Sequence, residues 1–228
     1  MSYETSTDRG FLLATREWQA IGGAAGLMLL NVLVMYAVAA SPLAGLNQLL
    51  FSIPIVGALV YGLFIAAGEI VAEKGFKQNS IGLAMAGVVV LELAFGLFGG
   101  GILAYLQVGA RGTALAITGG ITVLMTAAIG TYIYARSGTQ FDHYGTWSTY
   151  AFLAGLVAIL VGSFVQVVLL LGFVCIFLGF LFRLGYEMWE IRENRGRTAS
   201  MQAVGLYVAV AGVFVHVLQL VVRMLIRR

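Results

Sequence analysis

Apolar residues run almost without interruption for about twenty positions at a time, broken by brief clusters of charge, glycine and proline. About twenty residues at 1.5 Å rise cross the hydrocarbon of a bilayer as a helix. Strands of a membrane barrel would instead alternate apolar and polar over about ten residues. The pattern predicts span 1 at about 19–41, span 2 at 49–71, span 3 at 81–106 and span 4 at 113–135. The stretch from Tyr150 to Phe182 is too long for one crossing, so Ser163 and Gln166 are read as a turn between span 5 (150–164) and span 6 (167–189). Span 7 follows at 201–225. The expected fold class is all-α, a polytopic membrane protein of seven transmembrane helices in a single domain (19–228), preceded by a polar N-terminal tail over 1–18. Between the spans, the pattern places Glu73, Lys74, Lys77 and Asn79 in a polar loop, Arg111 in a tight turn, and Asp142 and His143 in the loop 136–148. The end of span 1, Ala37-Val38-Ala39-Ala40, resembles a signal-peptidase site, but the apolar run exceeds the core of about 7–15 residues expected of a signal peptide.

Composition removes the other classes. Of the 228 residues, 61% are hydrophobic and 10% charged, against about 45–50% and about 25% in soluble domains. Soluble enzymes and nucleic-acid binders are excluded on that ground. A single cysteine, Cys175, excludes an internal disulfide and a cysteine metal cluster. The 13 Lys and Arg residues set the orientation. With seven spans, Arg9, Arg16, Lys74, Lys77, Arg136, Arg183, Arg192, Arg195 and Arg197 share one side with the N-terminal tail. Only Arg111, Arg223, Arg227 and Arg228 remain for the other. The positive-inside rule therefore predicts a cytoplasmic N-terminus and an outside C-terminus. Trp18, Tyr150 and Trp189 sit where interface anchors are expected.

Four ionisable residues fall within or near the ends of spans: Glu69, Glu92, Glu187 and His216. A charge at mid-membrane costs about 2.5–3.5 kcal/mol on insertion scales, so such residues face the bundle interior or a water-filled path. The functional reading is a proton- or cation-linked route. The plain reading is that Glu69 and Glu187 reach the interface, that Glu92 is hydrogen-bonded inside the bundle, and that His216 is a neutral interior histidine. Cofactor chemistry finds no residues to carry it. The only lysines, Lys74 and Lys77, lie outside the spans, so a retinal Schiff base is excluded. Two histidines, one of them His143 in a loop, do not make a haem pair. There is no His-Glu-x-x-His, Gly-x-Ser-x-Gly or Walker sequence. No catalytic residue, metal or cofactor is assigned, and the chain is not expected to be an enzyme. Gly99-Gly100-Gly101 and Gly119-Gly120 suit close helix approach, or a kink beside a pore.

The most specific signal is at the C-terminal end. Span 6 closes with Gly185-Tyr186-Glu187-Met188-Trp189-Glu190-Ile191, and span 7 contains Gly205-Leu206-Tyr207-Val208-Ala209 and Phe214-Val215-His216-Val217-Leu218. These segments resemble the C-terminal signature of the Bax inhibitor family, the transmembrane Bax inhibitor motif proteins. The stretch Ala114–Ser137 followed by Asp142 and Gly145 resembles that family's span 4 and its aspartate-containing loop. Leu13-Ala14-Thr15-Arg16 resembles the start of the bacterial YccA-like branch, which implies a prokaryotic plasma membrane. The resemblance implies seven helices with the last one central, and a pH-sensitive calcium or proton leak governed by paired carboxylates in spans 6 and 7. Glu187 matches the first carboxylate. The second falls on Ala209, Gly212 stands where the family often has asparagine, and span 2 offers no arginine to latch a pair. Tyr186 and Tyr207 complete the matched positions. Members of the YccA-like branch are linked to the membrane protease FtsH, so the resemblance also implies the alternative of a non-catalytic regulator or accessory subunit of a membrane complex, contacted through the tail.

Overall fold

A computed structural model describes residues 12–136, 138–193 and 196–227. Glu4, Asp8, Arg9, Arg195 and Arg228, and the first eleven residues of the predicted tail, lie outside these. In lipid every backbone N–H and C=O must be satisfied within its own segment, and the apolar runs accordingly form helices. They are α1 (Thr15–Ala39), α2 (Ala44–Leu50), α3 (Pro54–Lys77), α4 (Ile81–Leu103), α5 (Val108–Ala135), α6 (His143–Gly162), α7 (Gln166–Glu193) and α8 (Ala199–Ile226). All but α2 are long and apolar enough to cross a membrane, so the seven predicted spans correspond to α1 and α3–α8. The described residues contain no strand.

The helix ends show why several boundaries moved. Pro54, set at the first turn of α3, starts that helix five residues later than expected and leaves α2 as a separate short turn of helix. At its other end α3 continues through Glu73, Lys74 and Lys77. It stops at Asn79, whose φ of 53° is left-handed, while Ser80 N donates to Gly75 O at 2.9 Å. The predicted polar loop there is therefore the last turn of a helix, with Lys77 and Glu73 paired at 2.7 Å on its outer face. Arg111 lies within α5 rather than in a turn, and His143 opens α6. Thr15 to Trp18, read as tail, form the first turn of α1, whose Glu17 accepts a hydrogen bond from Ala14 N at 2.8 Å. Glu190 and Arg192, expected in the loop after span 6, lie inside α7.

The last helix is the core. Within its most apolar stretch 83% of α8 is buried, against 17–44% for the other six spans, and it packs on α1, α3, α4, α5 and α7. Its sequence suits that position, since Arg223 is its only charged residue and Ala203, Gly205, Ala209, Ala211 and Gly212 keep it slender. The outer helices turn Leu29, Leu63, Leu124 and Val167 outward, which in a bilayer is contact with lipid.

Around this core α3 and α4 touch backbone to backbone. A Cβ on Gly87 would lie 2.6 Å from Gly68 O and 2.7 Å from Ala72 Cα. Gly100 brings α4 equally close to Met35 O of α1, and α4 runs unbroken through the triple glycine. Close packing is thus its role there. Gly119 and Gly120 have open space beside them instead, so the close approach expected at that pair is not found. Gly87→Leu is therefore expected to cost about 2 kcal/mol from overpacking. Gly120→Leu, which meets no neighbour and gains helix propensity, is expected to be neutral or stabilising by about 0.5 kcal/mol. Thermal unfolding of the two purified variants in detergent compares them directly; equal melting temperatures would contradict this account of α3–α4 packing.

Candidate functional site

On the face of the bundle where α3, α5 and α7 end and α4, α6 and α8 begin, α3, α7 and α8 leave a cavity of about 470 Å³. Its charged lining comes from Glu69 and Glu73 of α3, Arg183, Glu187 and Glu190 of α7, and Arg197 from the turn before α8. Arg183, Glu187 and Glu190 share one stripe of α7, at spacings of four and three residues. Gly205 of α8 backs the stripe. A Cβ there would sit 2.7 Å from the Glu187 carboxyl carbon, so the missing side chain is what lets the carboxylate lie against the central helix.

The charges form an alternating chain. Arg183 binds Glu69 through both terminal nitrogens, one of them donating to Oε2 at 3.1 Å, and its Nη2 lies 3.7 Å from Glu187 Oε1. Arg197 donates to Glu190 and approaches Glu187 Oε2 at 3.9 Å. Glu187 thus lies between two guanidinium groups, each engaged with another carboxylate. It is 4% exposed, and its Oε2 has no hydrogen-bond partner. Burial opposes the Arg197 charge, but Glu187 and Glu190 outweigh it and hold the guanidinium above the ordinary arginine value. Tyr186 lines the same cavity and donates a long hydrogen bond, 3.4 Å, to Glu190. Ala209 and Gly212 lie deeper on α8. Ala209 is fully buried, and Gly212 faces the Phe180 ring. The residue of α8 that meets Glu187 is therefore Gly205, one turn before Ala209, and the neighbouring carboxylates come from α3 and from α7 itself.

Glu92 is elsewhere. It is buried between α1, α4 and α8, where Asn31 Nδ2 donates to its Oε2 at 2.8 Å and to its backbone carbonyl at 3.0 Å. The Tyr207 phenol is near enough to interact with this carboxylate, yet neither its hydroxyl nor Glu92 Oε1 makes an aligned hydrogen bond. His216 is also in the core. Its Nδ1 lies 2.8 Å from Gly212 O, and its ring is walled by Phe173, Phe177 and Phe180 with centroids 5.0–5.7 Å away. Of the four candidate ionisable residues, the structure brings together Glu69 and Glu187 and leaves Glu92 and His216 apart from them.

The sequence pattern places Glu190 and Arg197 in the loop after span 6, and neither Arg183 nor Asn31 is among the candidates it offers. Arg183 carried one usable signal, its position four residues before Glu187 in an uninterrupted helical run. Among the described residues, no three His, Cys, Asp or Glu side chains are grouped to hold a metal ion. Glu69 and Glu190 are bound by the protein's own arginines, Glu73 pairs with Lys77, and Glu187 Oε2 accepts no hydrogen bond. No family model matches the chain, and no curated protein or solved structure shows significant similarity to it.

Proposed function

We propose that this integral membrane protein is a member of the Bax inhibitor family and provides a passive, pH-influenced path for cations, calcium or protons, whose vestibule is the cavity around Glu187. The observation that carries the reading is the setting of Glu187. It is 4% exposed, its Oε2 accepts no hydrogen bond, and the two guanidinium groups at 3.7 and 3.9 Å are each engaged with another carboxylate, so this buried carboxylate is placed to take up a proton or a cation. A buried helix α8 at the centre of seven spans supports the family reading, since that architecture is what the resemblance implies. The excess of basic residues on the cavity's face supports a cytoplasmic location for it, and hence a cytoplasmic N-terminus. Arginines on α7 and on the turn before α8 replace a latch from span 2.

Reconstituted into liposomes, the protein is expected to pass calcium or protons down a gradient with a rate that changes with pH. Glu187→Gln is expected to lower that rate at least tenfold, about 1.4 kcal/mol, and to flatten its pH dependence. A rate unchanged by Glu187→Gln, or no leak in the wild type, would end this reading.

One observation favours the alternative of a non-catalytic regulator of a membrane complex, such as a modulator of FtsH. Arg16, in the first turn of α1 where the tail leads into it, grips the main chain beside the cavity, so a partner holding the tail would also act on that turn. Here the expected result is co-purification with a larger complex that is lost when the tail is removed.

A further inference from the structure

The turn that carries Arg197 is fixed from two sides. The last carbonyls of α7 have no partner within their own helix. Gln202 of α8, fully buried, donates to Glu190 O at 3.0 Å. From α1, Arg16 donates through Nη2 to Ile191 O at 2.7 Å and through Nη1 to Arg197 O at 3.0 Å. One guanidinium therefore spans the C-terminal end of α7 and the residue whose side chain closes on Glu190 and Glu187. The contact is directional and charge-assisted, placed where a helix end favours a cation. A lysine offers one ammonium in place of a planar fork and does not hold two carbonyls in the same register. Nearby, Arg192 stacks on the Tyr134 ring at 4.4 Å, so the far side of the turn rests on α5.

We infer that Arg16 is a positioning residue for Arg197, and that the first turn of α1 thereby sets how far the Arg197 side chain shields the Glu187 cavity. Arg16 does not line the cavity; it acts on the backbone of the residue that does. The inference rests on the vestibule reading above, and it makes access to the cavity dependent on the segment that the polar tail leads into.

Access is measured without any transport assay. In a Cys175→Ala background, Val204→Cys places a thiol on a buried position of the cavity lining, and its modification by a small cationic thiosulfonate is timed in the full-length protein in detergent. Arg197→Gln is expected to raise the rate at least fivefold. Arg16→Gln is expected to raise it to a similar extent, and the double variant no further, because both act through one side chain. Arg16→Lys keeps the charge and guards against loss of folding; it is expected to fall between wild type and Arg16→Gln. If Arg197→Gln accelerates labelling while Arg16→Gln and Arg16→Lys leave it at the wild-type rate, the positioning role is overturned and the vestibule stands. Additive acceleration by Arg16→Gln and Arg197→Gln likewise overturns it. If Arg197→Gln itself leaves labelling unchanged, both the vestibule reading and this inference fall.

Discussion

Arg183→Ala is expected to lower the unfolding free energy by about 3 kcal/mol, the largest loss of any single side chain in the charged chain. Removing one partner of a buried ion pair costs about 3–5 kcal/mol because the remaining charge is left without compensation. The lower end applies here, since the Arg183 and Glu69 side chains are 22% and 23% exposed to the cavity. The loss has two sources. Glu69 loses both its hydrogen bonds, and Glu187 loses the nearer of its two cations, at 3.7 Å. Adding Glu69→Gln to Arg183→Ala should therefore recover part of the stability, and adding Glu187→Gln should recover more. That stepwise recovery separates an electrostatic cause from loss of the arginine's packing, which none of the added changes restores. Denaturant or thermal unfolding in detergent gives the series. An Arg183→Ala protein within 0.5 kcal/mol of wild type would show that water entering the cavity already compensates the carboxylates.

The seven crossings were legible because the apolar length of a span is set by the bilayer and by the helical rise, both known in advance. The ends were less legible. Glu73, Lys74 and Lys77 looked like a loop because charge clusters usually sit in water, yet charged residues can complete a helix's last turn once it leaves the hydrocarbon. The same ambiguity hides the site. The pattern puts Glu190 and Arg192 in a loop, whereas α7 runs to Glu193 and buries both. Local spacing holds Arg183, Glu187 and Glu190 on one stripe, which a sequence can show. Their meeting with Glu69, 114 residues earlier than Arg183, depends on which helices share a face of α8. Span length and composition do not encode that. The small residues of α8 did indicate close packing, but several glycine-rich spans carried the same signal, and Gly119 and Gly120 show that the signal alone does not name a partner.

Asn31→Leu is expected to cost about 2.5 kcal/mol, within the range of about 1–3 kcal/mol for leaving a buried polar group without its partner. The amide is the only aligned side-chain donor to Glu92 among the described residues. Leucine keeps the branched shape of asparagine and is larger, so no cavity forms, and any overpacking adds to the loss. Glu92→Leu should cost less, about 1 kcal/mol, because it removes the expensive buried group and strands only the amide. The double variant should be more stable than Asn31→Leu alone, giving a coupling energy of about 2 kcal/mol in a double-mutant cycle; additive losses would mean that the two side chains do not depend on each other. The cycle also decides the part Glu92 takes in any ion path. Tyr207, beside Glu92, and Gly205, against Glu187, are two residues apart on α8 and so point about 200° apart around its axis. The central helix stands between the two carboxylates, and Glu92 is absent from the cavity lining. A double variant that regains stability and keeps the full leak would place Glu92 among the groups that lock α1 onto α4, with the path confined to the Glu187 side of α8. A double variant that regains stability but loses the leak would require the route to pass around the central helix to the Asn31 pocket, and the vestibule would then be only its entrance.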